Sequence, residues 1–151
     1  MTENWTIRAA RADDHAAIIA IWERSVRATH DFLAGSDIDS YRPLLTQALC
    51  IDELEVWVLA GTADVPVGFM LRAEDRIEGL FLDPDSRGNG GGRLLVSHAQ
   101  ALHEGELRLD VNEQNAQARG FYERLGFIVE GRSELDGTGR PYPLLHMVRR
   151  R

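Results

Sequence analysis

The feature that most constrains the fold is a glycine-rich segment, RGNGGG at residues 87–92, between two patterned runs. A strand-like apolar run, Leu80 to Leu82, precedes it, and a helical pattern starts at Arg93. A glycine-rich turn from strand to helix leaves backbone N–H groups free at the positive end of the helix dipole, where they can bind phosphate. The segment therefore predicts an α/β fold with an anion-binding loop.

Two common phosphate loops are excluded. A Walker loop needs a lysine, and the chain contains none. A dinucleotide fingerprint fails because its last glycine position falls on Arg93 or Leu95, depending on which glycine starts it. What remains is Arg87-x-x-Gly90-x-Gly92. A turn that binds nothing is the alternative that this loop alone leaves open.

Size and composition predict a small globular protein. At 151 residues, 44% of them hydrophobic, the chain can bury a core, and we expect a single domain over residues 1–151. Cys50 is the one cysteine, no secretory signal is recognisable, and the apolar run 16–22 is too short to span a membrane. We therefore expect a cytoplasmic protein that does not bind membranes. A net charge of −7 argues against a nucleic-acid partner.

Hydrophobic periodicity predicts the order β-α-α-β-β-β-α-β-α-β-β. Strands are predicted at residues 5–8, 56–60, 67–71, 77–82, 107–111, 127–130 and 144–148. Helices are predicted from Asp13 or Asp14 to Val26, and at 38–49, 93–103 and 116–125, with a break at 35–37. Hairpins combined with crossover helices predict an α/β (α+β) fold, with a mixed sheet of about six to seven strands and about four helices on both faces.

A second motif makes the resemblance specific. Residues 115–127 carry Asn115, Ala118, Tyr122 and Gly126-Phe127 at the spacing Asn-x2-Ala-x3-Tyr-x3-Gly-Phe. Together with the glycine loop and the element order, this resembles the GNAT superfamily of acyl-CoA N-acyltransferases over nearly the whole chain. Residues 22–33, 67–70, 112–115 and 141–145 are similar to its bacterial YjaB branch, described as acetyl-CoA-dependent N-acetyltransferases with peptide lysines as proposed acceptors. Gly91 stands where an apolar residue is usual, which predicts a more mobile loop.

The resemblance implies direct attack of an amine on the thioester of acetyl-CoA, without a metal. Tyr122 would protonate the leaving thiolate, since a phenol with a pKa of about 10 is close to a thiol. A backbone N–H near Leu82 would stabilise the oxyanion. The acetyl-CoA contacts that the resemblance implies are Leu80, Phe81, Leu82, Arg87, Gly88, Asn89, Gly90, Gly91, Gly92, Arg93, Asn115 and Tyr122.

A base is also useful, because a free lysine amine is protonated at pH 7. Glu78 and Asp110 are the candidates, although each could instead be a structural carboxylate, and His30 could act as base or shape the substrate site. His98 and His103 are five residues apart, a spacing that does not place both on one helical face, so no metal site is expected.

The resemblance places the acceptor entrance between residues 30–37 and the turn at 136–142. Acidic residues there predict a negative mouth that attracts cationic acceptors: Asp31, Asp37, Asp39 and Asp136. Two alternatives stay open, an acetyltransferase for small amines such as amino acids, polyamines or antibiotics, and a non-catalytic acyl-CoA-binding module. The oligomeric state, monomer or homodimer, is open as well.

Overall fold

A computed structural model describes residues 4–29 and 32–150. The strands within these ranges are β1 (Thr6–Ala9), β2 (Glu55–Ala60), β3 (Pro66–Ala73), β4 (Arg76–Leu82), β5 (Leu107–Asn112), β6 (Ile128–Ser133) and β7 (Leu144–Arg149). The helices are α1 (His15–Thr29), α2 (Gly35–Ala48), α3 (Gly91–Leu102) and α4 (Ala116–Arg124). The predicted order of strands and helices is confirmed. No helix in the described ranges has both the length and the apolar character needed to cross a bilayer.

The strands form one mixed sheet in the order β1-β2-β3-β4-β5-β7-β6. Neighbouring strands run antiparallel, except for β4 and β5, which are parallel. Parallel neighbours need a crossover, and α3 supplies it between β4 and β5. The mixed sheet expected from the hairpin and crossover pattern is therefore confirmed.

Helices cover both faces of the sheet and enclose two cores. Phe69 of β3 is fully buried in a cluster with Ile18 and Trp22 of α1. The next residue, Met70, is fully buried on the other face in a cluster with Leu95 of α3. Successive strand side chains point to opposite faces, so β3 contributes to both cores. Burial on this scale contributes about 1.5–3 kcal/mol for each large apolar side chain.

The parallel pair β4–β5 is short. Its register covers only Arg76↔Arg108 and Ile77↔Leu109. The register of β4 with β3 shifts immediately afterwards, between the pairs Arg72↔Ile77 and Leu71↔Gly79, so Glu78 is the extra residue of a bulge. A bulge bends its strand and increases its twist. Beyond Ile77 the two strands therefore separate within the sheet.

The start of α2 differs from the prediction. Residues 35–37 were expected to be a break, but α2 begins at Gly35. The N–H groups of Asp37 and Ile38 donate to the carbonyl oxygen of Ala34 at 3.0 and 3.1 Å. An acidic residue in the first turn suits the positive end of a helix, which explains why this polar segment is helical. His30 and Asp31 lie outside the described residues.

Candidate active site

A cleft of about 910 Å³ opens where β4 and β5 separate. Residues of all four helices line it, so it passes through the sheet from the α1–α2 face to the α3–α4 face. The predicted site residues in its walls are Glu78, Leu80, Phe81, Leu82, Arg87, Gly88, Gly90, Gly91, Gly92, Arg93, Asp110, Asn115 and Tyr122. Asn89, an exposed residue of the same loop, is not part of this lining.

The glycine loop enters α3 through two left-handed residues. Gly88 has φ +81° and Gly90 has φ +88°, a region that favours glycine. Gly90 is also the N-cap residue of α3, and no side chain caps this end of the helix. The first N–H groups of a helix have no partner within it, and the helix dipole favours anions there. The loop therefore has the backbone geometry of an anion site at one end of the cleft.

Gly91 and Gly92 are glycines for reasons of packing. A Cβ on Gly91 would lie 2.8 Å from Leu59 Cδ2 and 2.9 Å from Trp5 Cζ3. A Cβ on Gly92 would lie 2.8 Å from the tip of the Phe121 ring. The departure from the usual apolar residue at position 91 was interpreted as a source of loop mobility. The structure gives it another reason, because Trp5 and Leu59 occupy the space of the missing side chain.

Arg87 points away from the start of α3. Its Nη2 donates to the Ser25 hydroxyl of α1 at 3.0 Å. Burial of the guanidinium lowers the pKa of Arg87. The side chain therefore ties the loop to α1, and the backbone N–H groups of residues 88–93 stay the predicted anchors for pyrophosphate.

The backbone N–H and C=O groups of successive residues in β4 point alternately toward β3 and toward the cleft. Asp83 N donates to Val67 O of β3 at 2.8 Å, and the Phe81 carbonyl also points toward β3, 3.0 Å from where a Gly68 Cβ would lie. Because backbone groups alternate along a strand, those of Leu80 and Leu82 point toward the cleft. The backbone groups of Phe81 therefore face β3 and those of Leu80 and Leu82 face the cleft, and the acetyl-CoA contacts expected of these residues stay predictions.

Tyr122 lies on α4 with its ring inside the core and one end in the cleft. Phe121 and Phe127 contact the ring edge-on, at centroid distances of 5.1 and 5.6 Å. Within residues 4–29 and 32–150, no group hydrogen-bonds to its hydroxyl. Burial raises the pKa of Tyr122 above its ordinary value. The assumption of an ordinary phenol pKa is therefore wrong, and the phenol stays protonated over a wider pH range.

Asn115 is the N-cap residue of α4. Its Oδ1 accepts a hydrogen bond from Ala118 N at 3.1 Å, and the residue is 8% exposed. The side-chain oxygen is therefore used by the helix. A contact from Asn115 to an acyl-CoA arm would have to come from the amide NH2.

Both candidate bases, Glu78 and Asp110, lie at the cleft and share one arginine. Arg76 Nη2 is 3.0 Å from Asp110 Oδ2, and its Nε is 3.4 Å from Glu78 Oε1. The second oxygen of Asp110, Oδ1, is 2.6 Å from His146 Nδ1. Asp110 is thus held on both oxygens, and Glu78 is the less constrained of the two carboxylates.

His146 and Ser133 were missed from the sequence. His146 Nε2 is 2.6 Å from the Ser133 hydroxyl, so Asp110, His146 and Ser133 form a chain across β5, β7 and β6. One signal was present: His146 is a polar residue in the middle of the apolar run 144–148. Its partners could not be identified without the strand order, which inserts β7 between β5 and β6.

A hydrogen-bonded bridge closes part of the α1–α2 side. Tyr41 donates its hydroxyl proton to Asp136, and Tyr142 donates to Asp37. Arg140 donates to Asp37 Oδ1 at 3.2 Å and stacks over the Tyr41 ring at 4.8 Å. These five residues, called here the α2–hairpin bridge, join α2 to the loop between β6 and β7. Burial and the hydrogen bond to Asp136 raise the pKa of Tyr41 to about 12.

The bridge corrects the prediction of a negative mouth. Asp37 is paired with Arg140, and Asp39 lies 3.2 Å from Arg42. Burial opposes ionisation of Asp136, but hydrogen bonds from Thr138, Tyr41 and the backbone outweigh it and lower the pKa of this carboxyl. Asp37 and Asp39 thus pair with arginines, whereas Asp136 accepts from uncharged donors and keeps its charge. The mouth is therefore less negative than the number of acidic residues implies.

Comparison with known proteins gives consistent findings. The family model of the acetyltransferase (GNAT) domain matches residues 43–142. A relative from Salmonella typhimurium, named peptidyl-lysine N-acetyltransferase YjaB, is 48% identical over 144 residues, which cover 94% of this chain and 96% of the relative.

Solved structures are similar as well. The solution structure of apo-form YjaB from Escherichia coli has a TM-score of 0.88 and 46% identity, covering 95% of this chain and 96% of that one. A PaiA N-acetyltransferase from Thermoplasma acidophilum, solved with coenzyme A, has a TM-score of 0.80 at 18% identity, covering 98% of this chain and 99% of that one. At that identity the likeness concerns the fold.

Proposed function

Since this chain belongs to the GNAT acetyltransferase family and is an N-acetyltransferase, we propose that it acetylates lysine side chains of peptides with acetyl-CoA as donor. The observation that carries the proposal is a cleft through the sheet with an anion-binding helix end on one side and carboxylates in an apolar slot on the other. Similarity to relatives named for peptidyl-lysine acetylation supports the choice of acceptor. The exposed thiol of Cys50 suits a reducing compartment, and we place the reaction in the cytoplasm.

The donor side of the cleft suits acetyl-CoA. The N–H groups from Gly91 to Arg93 would bind pyrophosphate, as the uncapped start of α3 favours an anion. The free backbone groups of Leu80 and Leu82 would align the pantetheine arm like an added strand. When bound, acetyl-CoA supplies the acetyl thioester that the amine attacks. The Leu82 N–H would donate to the carbonyl oxygen of that group.

Tyr122 is the proposed acid. Its hydroxyl has no other hydrogen-bond partner among the described residues and lies at the end of a ring fixed by two aromatic contacts. A raised pKa keeps the phenol in its protonated form, so a proton is available when the thiolate leaves, but it also makes the phenol a weaker acid than a free tyrosine. Retention of this group also argues against a module that only binds acyl-CoA.

The acceptor side suits an ammonium on an apolar stem. Its walls include Trp22, Val26 and Leu45, which are all buried. Glu78 and Asp110 lie where this slot meets the sheet, and either can take a proton from the arriving amine. A lysine side chain has four methylene groups and an ammonium end, which match an apolar slot that ends in carboxylates.

One observation favours a second candidate, a small free amine. The α2–hairpin bridge spans the side of the cleft where a peptide would approach, and Tyr41 and Asp136 themselves line the cleft. A closed bridge admits a small molecule more easily than a peptide backbone. Lysine acetylation thus requires either that the peptide docks outside the bridge or that the bridge opens.

A panel experiment distinguishes these functions. Thiol release from acetyl-CoA is measured with lysine peptides, their Nα-acetylated forms, spermidine and free amino acids, and mass spectrometry locates the acetyl group. We expect the highest kcat/KM with internal lysines, acetylated at Nε. Preference for a small amine would contradict the lysine proposal, and binding of acetyl-CoA without turnover of any amine would contradict the enzymatic one.

A further inference from the structure

Three side chains on one face of the sheet form a continuous hydrogen-bonded chain. Asp110 and His146 are direct partners in the β5–β7 register, and their side chains approach to 2.6 Å between Oδ1 and Nδ1. On the other side, His146 Nε2 is 2.6 Å from Ser133 Oγ. Gly131 faces His146 across β6 and leaves space for the imidazole, since a Cβ there would already be 3.4 Å from Cδ2.

This row of three hydrogen-bonded side chains faces the cleft with the opposite end from a hydrolytic triad. In a triad the serine faces the substrate and the carboxylate lies behind the histidine. Here Asp110 lines the cleft, whereas Ser133 and His146 do not. His146 therefore acts on the cleft through Asp110, and no nucleophilic role follows for Ser133.

The position of the hydrogen between Asp110 and His146 follows from the groups themselves. A carboxylate only accepts hydrogen bonds, so Nδ1 carries the hydrogen and donates it to Oδ1. Arg76 Nη2 lies 3.0 Å from the other oxygen, Oδ2, as an ion pair. A hydrogen bond from β7 and an ion pair from β4 thus hold the two oxygens of Asp110.

The acetylation reaction makes this carboxylate useful. An ammonium that becomes an amide loses two N–H protons: one ends on the sulfur of the released thiol, and the other must leave the cleft. The proton that leaves the cleft must be removed from the ammonium before the nitrogen lone pair can attack the thioester carbon. A carboxylate of fixed orientation at the cleft is suited to accept it.

We propose that His146 is the positioning residue that orients Asp110 as the base, and that only its neutral form supports acetylation. This rests on the acetyltransferase function proposed above. With a neutral imidazole, Glu78 and Asp110 outweigh the charge of Arg76, and the site attracts an ammonium. An imidazolium at His146 cancels the remaining negative charge, so Asp110 attracts both the ammonium and its proton less strongly.

The other charged groups near His146 come from three strands. On β4 they are Arg76 and Glu78, which pair with each other at 3.4 Å. On β5, Arg108 shares the face of Asp110, but its guanidinium binds Glu130 of β6. Arg108 is therefore neutralised locally, and the balance at Asp110 depends on His146.

Two substitutions separate the two hydrogen bonds of His146. His146→Asn places an amide NH2 near the position of Nδ1, so it can keep the bond to Asp110 but cannot be protonated near neutral pH. His146→Gln places its amide near Nε2, so it keeps the bond to Ser133 and loses the one to Asp110. His103→Gln, a change outside the cleft lining, is the control.

The measurement is kcat and kcat/KM with a lysine peptide from pH 5.5 to 9, with acetyl-CoA affinity and Tm for each variant. His146→Asn should retain a higher kcat at pH 8 than His146→Gln and should lose the decrease of kcat/KM on acidification. His146→Gln should lower kcat about 10²-fold at every pH, the lower end of the range for a proton-transfer group. Acetyl-CoA affinity should be unchanged in both.

Three results would overturn the inference. The first is a wild-type acidic decrease in His146→Asn, and the second is wild-type turnover in His146→Gln. The third is an equal loss in both variants accompanied by equal losses of Tm, which would indicate a purely structural histidine. If wild-type enzyme acetylates no amine, the proposed function fails and this inference fails with it, whereas turnover with unaltered variants refutes the inference alone.

Discussion

Replacing Tyr122 by phenylalanine separates the proton donor from the packing of its ring. The contacts with Phe121 and Phe127 are retained, and no protein hydrogen bond in the described residues is lost. The free energy of unfolding should therefore change by less than about 0.5 kcal/mol, a Tm shift below about 2 °C for a chain of this size. Loss of a proton donor should lower kcat by about 10²–10⁴-fold, or about 2.7–5.5 kcal/mol in activation free energy.

The assay is thiol release at saturating acetyl-CoA and lysine peptide between pH 6 and 10. Because burial raises the pKa of Tyr122, the phenol stays protonated across this range, and wild-type kcat should show no alkaline decrease that depends on Tyr122. Tyr122→Leu, which also removes the ring, should lower both kcat and Tm. Unaltered turnover in Tyr122→Phe would refute the reasoning and mean that water protonates the thiolate.

Two further predictions concern the glycine loop and the first helix. Gly90→Glu adds a charge at the start of α3 and places a side chain on a backbone with φ +88°, which favours glycine. Calorimetry should show acetyl-CoA affinity at least about tenfold weaker. Gly35→Glu, outside the cleft, should leave the affinity unchanged, and equal affinities in the two variants would contradict the loop assignment. The Arg8 hydrogen bond lowers the pKa of Asp14 to about 2, so this carboxylate stabilises the fold above its unfolded pKa of about 3.9 and the stabilisation is lost as pH falls toward 2. Asp14→Asn should lower Tm at pH 7 and weaken the Tm decrease between pH 4 and 2; an unchanged acid decrease would exclude this role.

Local patterns predicted the fold well. The continuous apolar run of β3, which includes Phe69 and Met70, is visible in neighbouring residues and needs no knowledge of distant contacts. The N-cap at Asn115 and the left-handed Gly126 likewise depend on residues close in sequence. The prediction that failed locally, the break at residues 35–37, did so because polar residues suit both a loop and the first turn of a helix.

The site was predicted less completely because its contacts are distant in sequence. Asp37 and Tyr142 are 105 residues apart, and Asp110 and His146 are 36 apart. These pairs depend on strand order and on the loop between β6 and β7, which residue spacing does not encode. Arg87 was assigned to phosphate from its motif position, whereas the direction of its side chain is decided by Ser25 on another helix.

The Trp5 ring fills the space where a side chain on Gly91 would lie, so it connects the segment before β1 to the acetyl-CoA loop, 86 positions further along the sequence. The two positions should therefore vary together among relatives: where an alanine or valine replaces this glycine, a smaller side chain should replace the tryptophan. The same contact has a practical consequence for expression. A purification tag fused directly ahead of β1 adds bulk close to the donor loop, whereas a tag after β7 leaves that loop undisturbed.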